Sequence, residues 1–215
     1  MKTAILTGFQ AFGNYAVNPT EILASHQDGK VLVGHRIRSM VFPPTVLSPS
    51  KSLDHGKEIV EKASSLGASV IISLGIASEA KGVRVETECM NWVENDKYCT
   101  AFENRKPIFN DRTPHEKRHV PLQAWDFEKL SRGLSAANIP LEMSTNAGRY
   151  CCNALMFRVL RALESFPVQP PFVFAHISCT EEAICKIPDF DRADKVLLCQ
   201  SELQTIVEKF LESYS

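Results

Sequence analysis

A thiol, an imidazole and a carboxylate stand out in this sequence for where they fall. Residues 144–153 read Ser-Thr-Asn-Ala-Gly-Arg-Tyr-Cys-Cys-Asn. They separate a short apolar strand-like run at 140–143 from a helical run at 154–163, and Ala147-Gly148 breaks the pattern between the two. Cys152 then falls in the first turn of the helix. There, unsatisfied N–H groups and the positive end of the helix dipole lower a thiol's pKa and favour the nucleophilic thiolate. The same N–H groups can hold an oxyanion. Strand, turn, nucleophile, helix is the logic of a nucleophile elbow with sulfur in place of oxygen. The competing reading is structural, since most free cysteines are small buried apolar residues.

His176 sits inside the apolar run 172–177, where a histidine is costly unless its nitrogens are satisfied. A satisfied core histidine is one reading. The other pairs it with the thiol one helix upstream, as needed to activate sulfur and to protonate a leaving amine. A third group should orient the ring. Glu86 and Glu88 alternate onto one face of a strand at 82–90, and either can serve. A solvated strand face is the plainer alternative for both.

The elements that must position these groups follow from the pattern. Residues 2–7 read as a strand ending at Gly8. Residues 9–13 form a turn carrying Phe9 and Phe12. Asn18-Pro19-Thr-Glu21 opens a helix, with Asn18 as N-cap, Pro19 at the first helical position and Glu21 placed for a capping box. One or two strands follow at 31–42, stopped by Pro43-Pro44, and a helix at 52–65. The unbroken apolar run 69–74 predicts a strand buried on both faces. Residues 92–113 are a long polar loop. A helix is predicted at 121–137, a strand at 139–144, a helix at 150–166, a strand at 172–177, a loop at 180–194 and a closing amphipathic helix at 195–213. Alternating buried strands and helices define an α/β class, a three-layer α/β/α sandwich around a mixed central sheet. No repeat, low-complexity tract or linker divides residues 1–215, so one domain is expected. In such sheets, sites gather beyond the C-terminal ends of the strands. Residues 8–13 and 75–80, the elbow and His176 all fall at such ends.

The chain has 215 residues, 44% of them hydrophobic and 23% charged, with a formal net charge of −1. That balance draws it neither to nucleic acid nor to an anionic membrane. No apolar run approaches the length of a membrane span. Met1 to Phe9 reads as a first strand, too short for a signal segment. The 7 cysteines form no zinc-like pairs, and adjacent Cys151-Cys152 is a poor disulfide on geometry, so a reducing cytoplasm is expected. His115-Glu-Lys-Arg-His119 matches a zinc-protease pattern, which requires both histidines on one face of a stable helix. Pro121 disfavours helix at Val120, and the stretch has no apolar face to pack, so no zinc site is expected there. There is neither a P-loop nor a dinucleotide glycine fingerprint.

Four blocks in order resemble the pyroglutamyl peptidases (pyrrolidone-carboxyl peptidases). Gly8-Phe-Gln-Ala-Phe-Gly13 followed by Asn18-Pro-Thr-Glu21 resembles that family's opening signature. Ala147-Gly-Arg-Tyr-Cys-Cys-Asn153 resembles its nucleophile motif, Ala-Gly-x-x-x-Cys-Asn. Phe174-Ala-His176-Ile matches its histidine strand. Glu86-Thr-Glu-Cys-Met-Asn91 resembles its Glu-Arg-x-Ala-x-Asn segment, which aligns Glu86 rather than Glu88 with the catalytic acid. The resemblance implies a metal-free cysteine peptidase with a Cys152–His176–Glu86 triad, acting on peptides with an N-terminal pyroglutamate (5-oxoproline). It also implies a phosphorylase/hydrolase-like α/β/α fold and a homotetramer. Pyroglutamate is a flat, uncharged lactam. Phe9 and Phe12 can offer it aromatic walls, and with Asn18 they are the expected substrate-binding residues.

The chain departs from the family pattern around the expected pocket. Ser78-Glu-Ala-Lys81 replaces a Gly-Gly-Arg-like loop, and Thr87 replaces the arginine after the glutamate. No Ala-Arg-Ile-Pro-Asp-Asn-like loop occurs in 92–110, and Ser178 stands where the histidine motif has proline. These changes frame two rival expectations: a hydrolase for another small N-terminal acyl group, or a non-catalytic binding protein on the same scaffold.

Overall fold

A computed structural model describes residues 1–44, 54–101, 104–167, 169–187, 190, 192 and 196–214. The predicted helix starts at 52 and 195 lie outside the described residues. The chain opens with β1 (Lys2–Phe9) and α1 (Pro19–Gln27), then β2 (Val31–Leu32) and β3 (His35–Phe42). Next come α2 (His55–Ser65), β4 (Val70–Ile76), β5 (Val83–Glu86), β6 (Glu88–Met90) and β7 (Lys117–His119). The second half contains α3 (Phe127–Ser135), β8 (Leu141–Ser144), α4 (Cys151–Leu163), β9 (Phe172–Ile177), α5 (Glu181–Ile184) and α6 (Gln200–Ser213).

Seven strands form one sheet in the order β2-β3-β1-β4-β9-β5-β8. Pairing is parallel except at β2–β3 and β5–β9, so the sheet is mixed. Every residue of β4 and of β9 is buried. Their unbroken apolar runs thus mark the two strands at the middle of the sheet, covered on both faces. On one face, Leu23, Leu130, Leu134, Leu203, Ile206 and Phe210 bring α1, α3 and α6 against Leu6, Ile72 and Val173. On the other, Ile59, Val60, Phe157 and Val159 bring α2 and α4 against Ile5, Ile71 and Phe174. Alternation along each strand sends its side chains to the two faces in turn, which gives the three-layer sandwich.

Several element ends differ from the sequence expectation for local reasons. The strand predicted at 82–90 breaks at Thr87. β5 stays in the main sheet, while β6 leaves it to pair with β7. Residues 121–126 are not helical; α3 begins only where the Asp126 side chain accepts from the Lys129 N–H. Residues 180–194 hold a short helix, α5, capped by Thr180. The Glu21 carboxylate does not complete a capping box; it accepts from the Ala11 N–H at 3.3 Å and ties the 9–13 turn to α1 instead.

Candidate active site

The site is assembled at the ends of β4, β9, β5 and β8, where the first turn of α4 approaches the sheet. Tyr150 is the N-cap of α4 and makes no side-chain capping bond, which leaves the helix N-terminus facing a cavity. Cys152 follows two residues later. Asn153 secures this turn: its Oδ1 accepts from the Met90 N–H at 2.8 Å, and its Nδ2 donates to the carbonyls of Met90 and Trp92 at 2.9 Å each. An amide side chain used in this way behaves like one rung of a β ladder, and it locks α4 to β6.

His176 is directly opposite Gly75 on β4 and Arg84 on β5. Its Nδ1 lies 2.7 Å from Glu86 Oε1. Glu86 is wholly buried. An ionised carboxylate only accepts, so Nδ1 carries the proton and Nε2 is the nitrogen left for the sulfur. Cys152 Sγ and His176 Cδ2 meet over Gly75, where the charge of each bears on the other. The absence of a side chain at Gly75 makes that meeting possible. A Cβ there would sit 2.9 Å from Cys152 Sγ and 3.2 Å from His176 Cδ2, inside contact distance.

The electrostatics follow from burial and neighbours. Burial alone would press the His176 ring towards neutrality, but the Cys152 sulfur and the Glu86 carboxylate outweigh it and raise its pKa to about 9. Burial likewise works against a charged Glu86, yet its bond to His176, with the Arg84 charge adding, holds the carboxyl below its ordinary value. The neighbouring Cys151, with Sγ 4.0 Å away, and burial push Cys152 well above the ordinary thiol range, against the pull of His176. The helix N-terminus acts in the opposite direction, favouring the thiolate.

The cavity above these groups has a volume of about 630 Å³. Phe12 lines it and makes edge contacts with Tyr15 and Tyr98 at 5.4 and 5.5 Å between ring centres. Tyr98 and Tyr150 lie 5.6 Å apart, so four rings form an aromatic wall. The expected substrate-binding residues fare differently. Phe12 faces the cavity, while Phe9 is buried in the core beneath it. Asn18 is buried and spent on structure: Oδ1 accepts from the Thr20 N–H and hydroxyl, and Nδ2 donates to the Gln10 carbonyl. Glu88 is separated from the site by the break at Thr87 and pairs with Lys117 at 2.7 Å.

Sequence reasoning did not single out Tyr15, Tyr98, Tyr150 or Arg84 for this cavity. Only Arg84 carried a signal, because it precedes Glu86 by two residues and so shares its strand face. The polar loop at 92–113 is held from below by Asn91, whose amide bonds to the Phe109 N–H and to carbonyls of Phe109 and Thr113. It delivers Asn95, Lys97 and Tyr98 to the rim. His115 and His119 share no helix: His115 stacks on Trp92 and His119 ends β7. Among the described residues, no group of three His, Cys, Asp or Glu could hold a metal ion, and no helix is long and apolar enough to cross a membrane.

An α/β sandwich that gathers a thiol at a helix start, an imidazole and a buried carboxylate at its strand ends has the build of a cysteine-type hydrolase. The comparisons carry this to a family. The pyroglutamyl peptidase family profile matches residues 2–207, and the chain belongs to that family of cysteine hydrolases. It is 27% identical over 191 residues to the pyrrolidone-carboxylate peptidase of Thermococcus litoralis, covering 86% of this chain and 80% of that protein. It is 28% identical over 200 residues to the enzyme of the same name from Oceanobacillus iheyensis, covering 90% and 94%. The fold matches the solved pyrrolidone carboxyl peptidase of Thermococcus litoralis with a TM-score of 0.79 at 21% identity, over 100% of this chain and 93% of that one. It matches pyroglutamyl peptidase I of Bacillus amyloliquefaciens with a TM-score of 0.77 at 17% identity, over 99% and 94%.

Proposed function

We propose that this chain removes an N-terminal pyroglutamyl residue from peptides by thiol catalysis, with Cys152, His176 and Glu86 as its triad. The observation that carries the reading is the 2.7 Å bond between His176 Nδ1 and Glu86 Oε1, made beside a cysteine in the first turn of a helix. In the reactive form the Cys152 proton lies on His176 Nε2, and the Sγ thiolate so formed attacks the carbonyl that follows the lactam ring. The oxyanion forms in front of the helix N-terminus, with the Cys152 N–H as its donor. His176 then gives its proton to the departing amine, and the amine leaves with the rest of the peptide. A water molecule attacks the thioester, losing its proton to His176, and the free acid departs as the thiol is restored. Glu86 keeps the ring in one tautomer and steadies the imidazolium in each half-reaction. Phe12 and the tyrosines near it offer flat apolar faces to an uncharged ring.

The test is hydrolysis of a pyroglutamyl fluorogenic amide in reducing buffer with a chelator. Wild-type protein should turn it over, and Cys152→Ala should lose about 10⁴-fold or more of that rate while keeping its fold. Equal rates in the two proteins, or none in the wild type, would refute the reading.

A further inference from the structure

The cavity has two unlike sides, and the strand order sets them apart. Phe12 and Tyr15 follow β1, and Ile76 ends β4; both strands lie on one side of β9, which carries His176. On the other side lie β5 and β8, which bring Arg84 and Ser144, with Asn146 just beyond. The first side carries the aromatic rings, with Ser78 and Glu79 after β4 at its edge. The second is polar and holds a half-buried guanidinium. An amide substrate centred on Cys152 also has two unlike ends, an acyl group and a leaving peptide. With the flat acyl ring against the aromatic wall, as the proposed function requires, the leaving peptide runs over the polar side.

Arg84 is unusually placed there. It lies directly across from His176 and lines the cavity, and its side chain is 20% exposed. Its Nε donates to Glu86 Oε1 at 3.0 Å. That bond uses one of five donors, and among the described residues the two Nη groups have no partner. Glu86 gives Oε1 to both His176 and Arg84 and leaves Oε2 without a hydrogen-bond partner among the described residues, but the carboxylate is wholly buried and does not line the cavity, so its charge is not presented to a ligand. Nearby Arg149 is already paired with Glu94. Arg84 therefore offers an open fork of donors where the leaving peptide must pass, and a fork of this shape matches a carboxylate.

Resting on the pyroglutamyl-peptidase reading, we infer that Arg84 is a specificity-determining residue that favours an acidic side chain immediately after the scissile bond. The test compares pyroglutamyl-aspartyl amide with pyroglutamyl-asparaginyl amide, which differ by one charge and have no terminal carboxylate. Wild-type kcat/KM should favour the aspartyl compound by about tenfold, the scale of one partly buried charged hydrogen bond, and added salt should shrink the ratio. In Arg84→Gln the ratio should fall to about one, with the asparaginyl compound losing much less. Arg84→Lys should restore part of the preference, since it keeps the charge without the fork. A wild-type ratio at or below one would overturn the inference alone. So would an equal loss on both compounds in Arg84→Gln with a displaced pH profile, the mark of a residue that only positions Glu86. No turnover of either compound by the wild type would overturn this inference together with the proposed function.

Discussion

Glu86 keeps its charge in a fully buried position because two donors, the His176 ring and the Arg84 Nε, converge on one of its oxygens. That arrangement ties the protonation of His176 to a residue that never meets the substrate. With the ring held at about 9, the imidazolium persists through neutral pH and is lost as pH rises through that value, so activity should fall on its alkaline side near there. In Glu86→Gln the ring keeps only its support from Cys152, while burial still presses it down. The alkaline limb should then move to lower pH, and kcat should fall by about 10²–10⁴-fold. A pH–rate profile of the two proteins decides this; an unmoved limb would dissociate Glu86 from the ring. Cys151 works on the other partner. It pushes Cys152 upward from 4.0 Å away, so Cys151→Ala should let Cys152 ionise, and react with iodoacetamide, at lower pH while turnover survives. Alkylation that needs the same or a higher pH in the variant would contradict the assignment.

Gly75 shows how two elements set the distance between their catalytic groups. β4 and β9 pair with Gly75 opposite His176, and α4 lowers Cys152 onto the position a side chain would fill. In Gly75→Ala the new Cβ would lie 2.9 Å from Cys152 Sγ and 3.0 Å from Phe174 Cζ. The helix start must then give way by a fraction of an ångström. Overpacking of this kind costs about 1–3 kcal/mol, and a displaced nucleophile costs about 10²-fold in rate. Kinetics and thermal unfolding on one sample should show a large loss of kcat beside a modest loss of stability; normal kcat would mean that the sulfur has room to spare. This contact could not be read from the sequence, where Gly75 marks only the end of an apolar run. The runs themselves were legible because burial on both faces leaves no choice of residue type, and β9 falls at the predicted residues 172–177. The break at Thr87 was hidden, because strand alternation continues unchanged through a residue whose N–H donates to the Ser144 carbonyl before the chain leaves the sheet. Phe9 and Phe12 looked equivalent for a similar reason. Only the packing of β1 against α2 and α4 sends one ring into the core and leaves the other at the cavity.

At the scale of the whole molecule, protons in the core link its stability to alkaline pH. Burial raises the Cys89 thiol and the Tyr15 phenol, and the Cys151 sulfur and burial raise Cys152; all three stand well above their ordinary values. His176 is raised from 6.5 to about 9. Each of these groups holds its proton more tightly folded than unfolded. The His176 contribution is therefore complete below about 6.5 and is lost as pH rises through about 9. The thiol and phenol contributions begin to be lost only when pH passes their unfolded values, 9.0 for cysteine and 10.0 for tyrosine. Glu86 acts in the opposite sense: lowered from 4.5, it stabilises above that value and its contribution is lost as pH falls through the folded one. Stability should thus be greatest between about pH 5 and 7 and should fall increasingly steeply above 9, where the unfolded chain sheds protons that the folded chain retains. Each retained proton is worth about 1.4 kcal/mol per pH unit. Cys89 tests the argument without touching the site, since it packs in the core on the α2–α4 side of the sheet. Cys89→Ala should lose stability at pH 7 through the missing sulfur, yet its stability should decline less steeply between pH 9 and 10.5 than that of the wild type. Denaturant midpoints measured across that range check both parts. Parallel declines would mean that the buried thiol opens to water before the rest of the fold, so that alkaline sensitivity belongs to a local opening around β6 rather than to global unfolding.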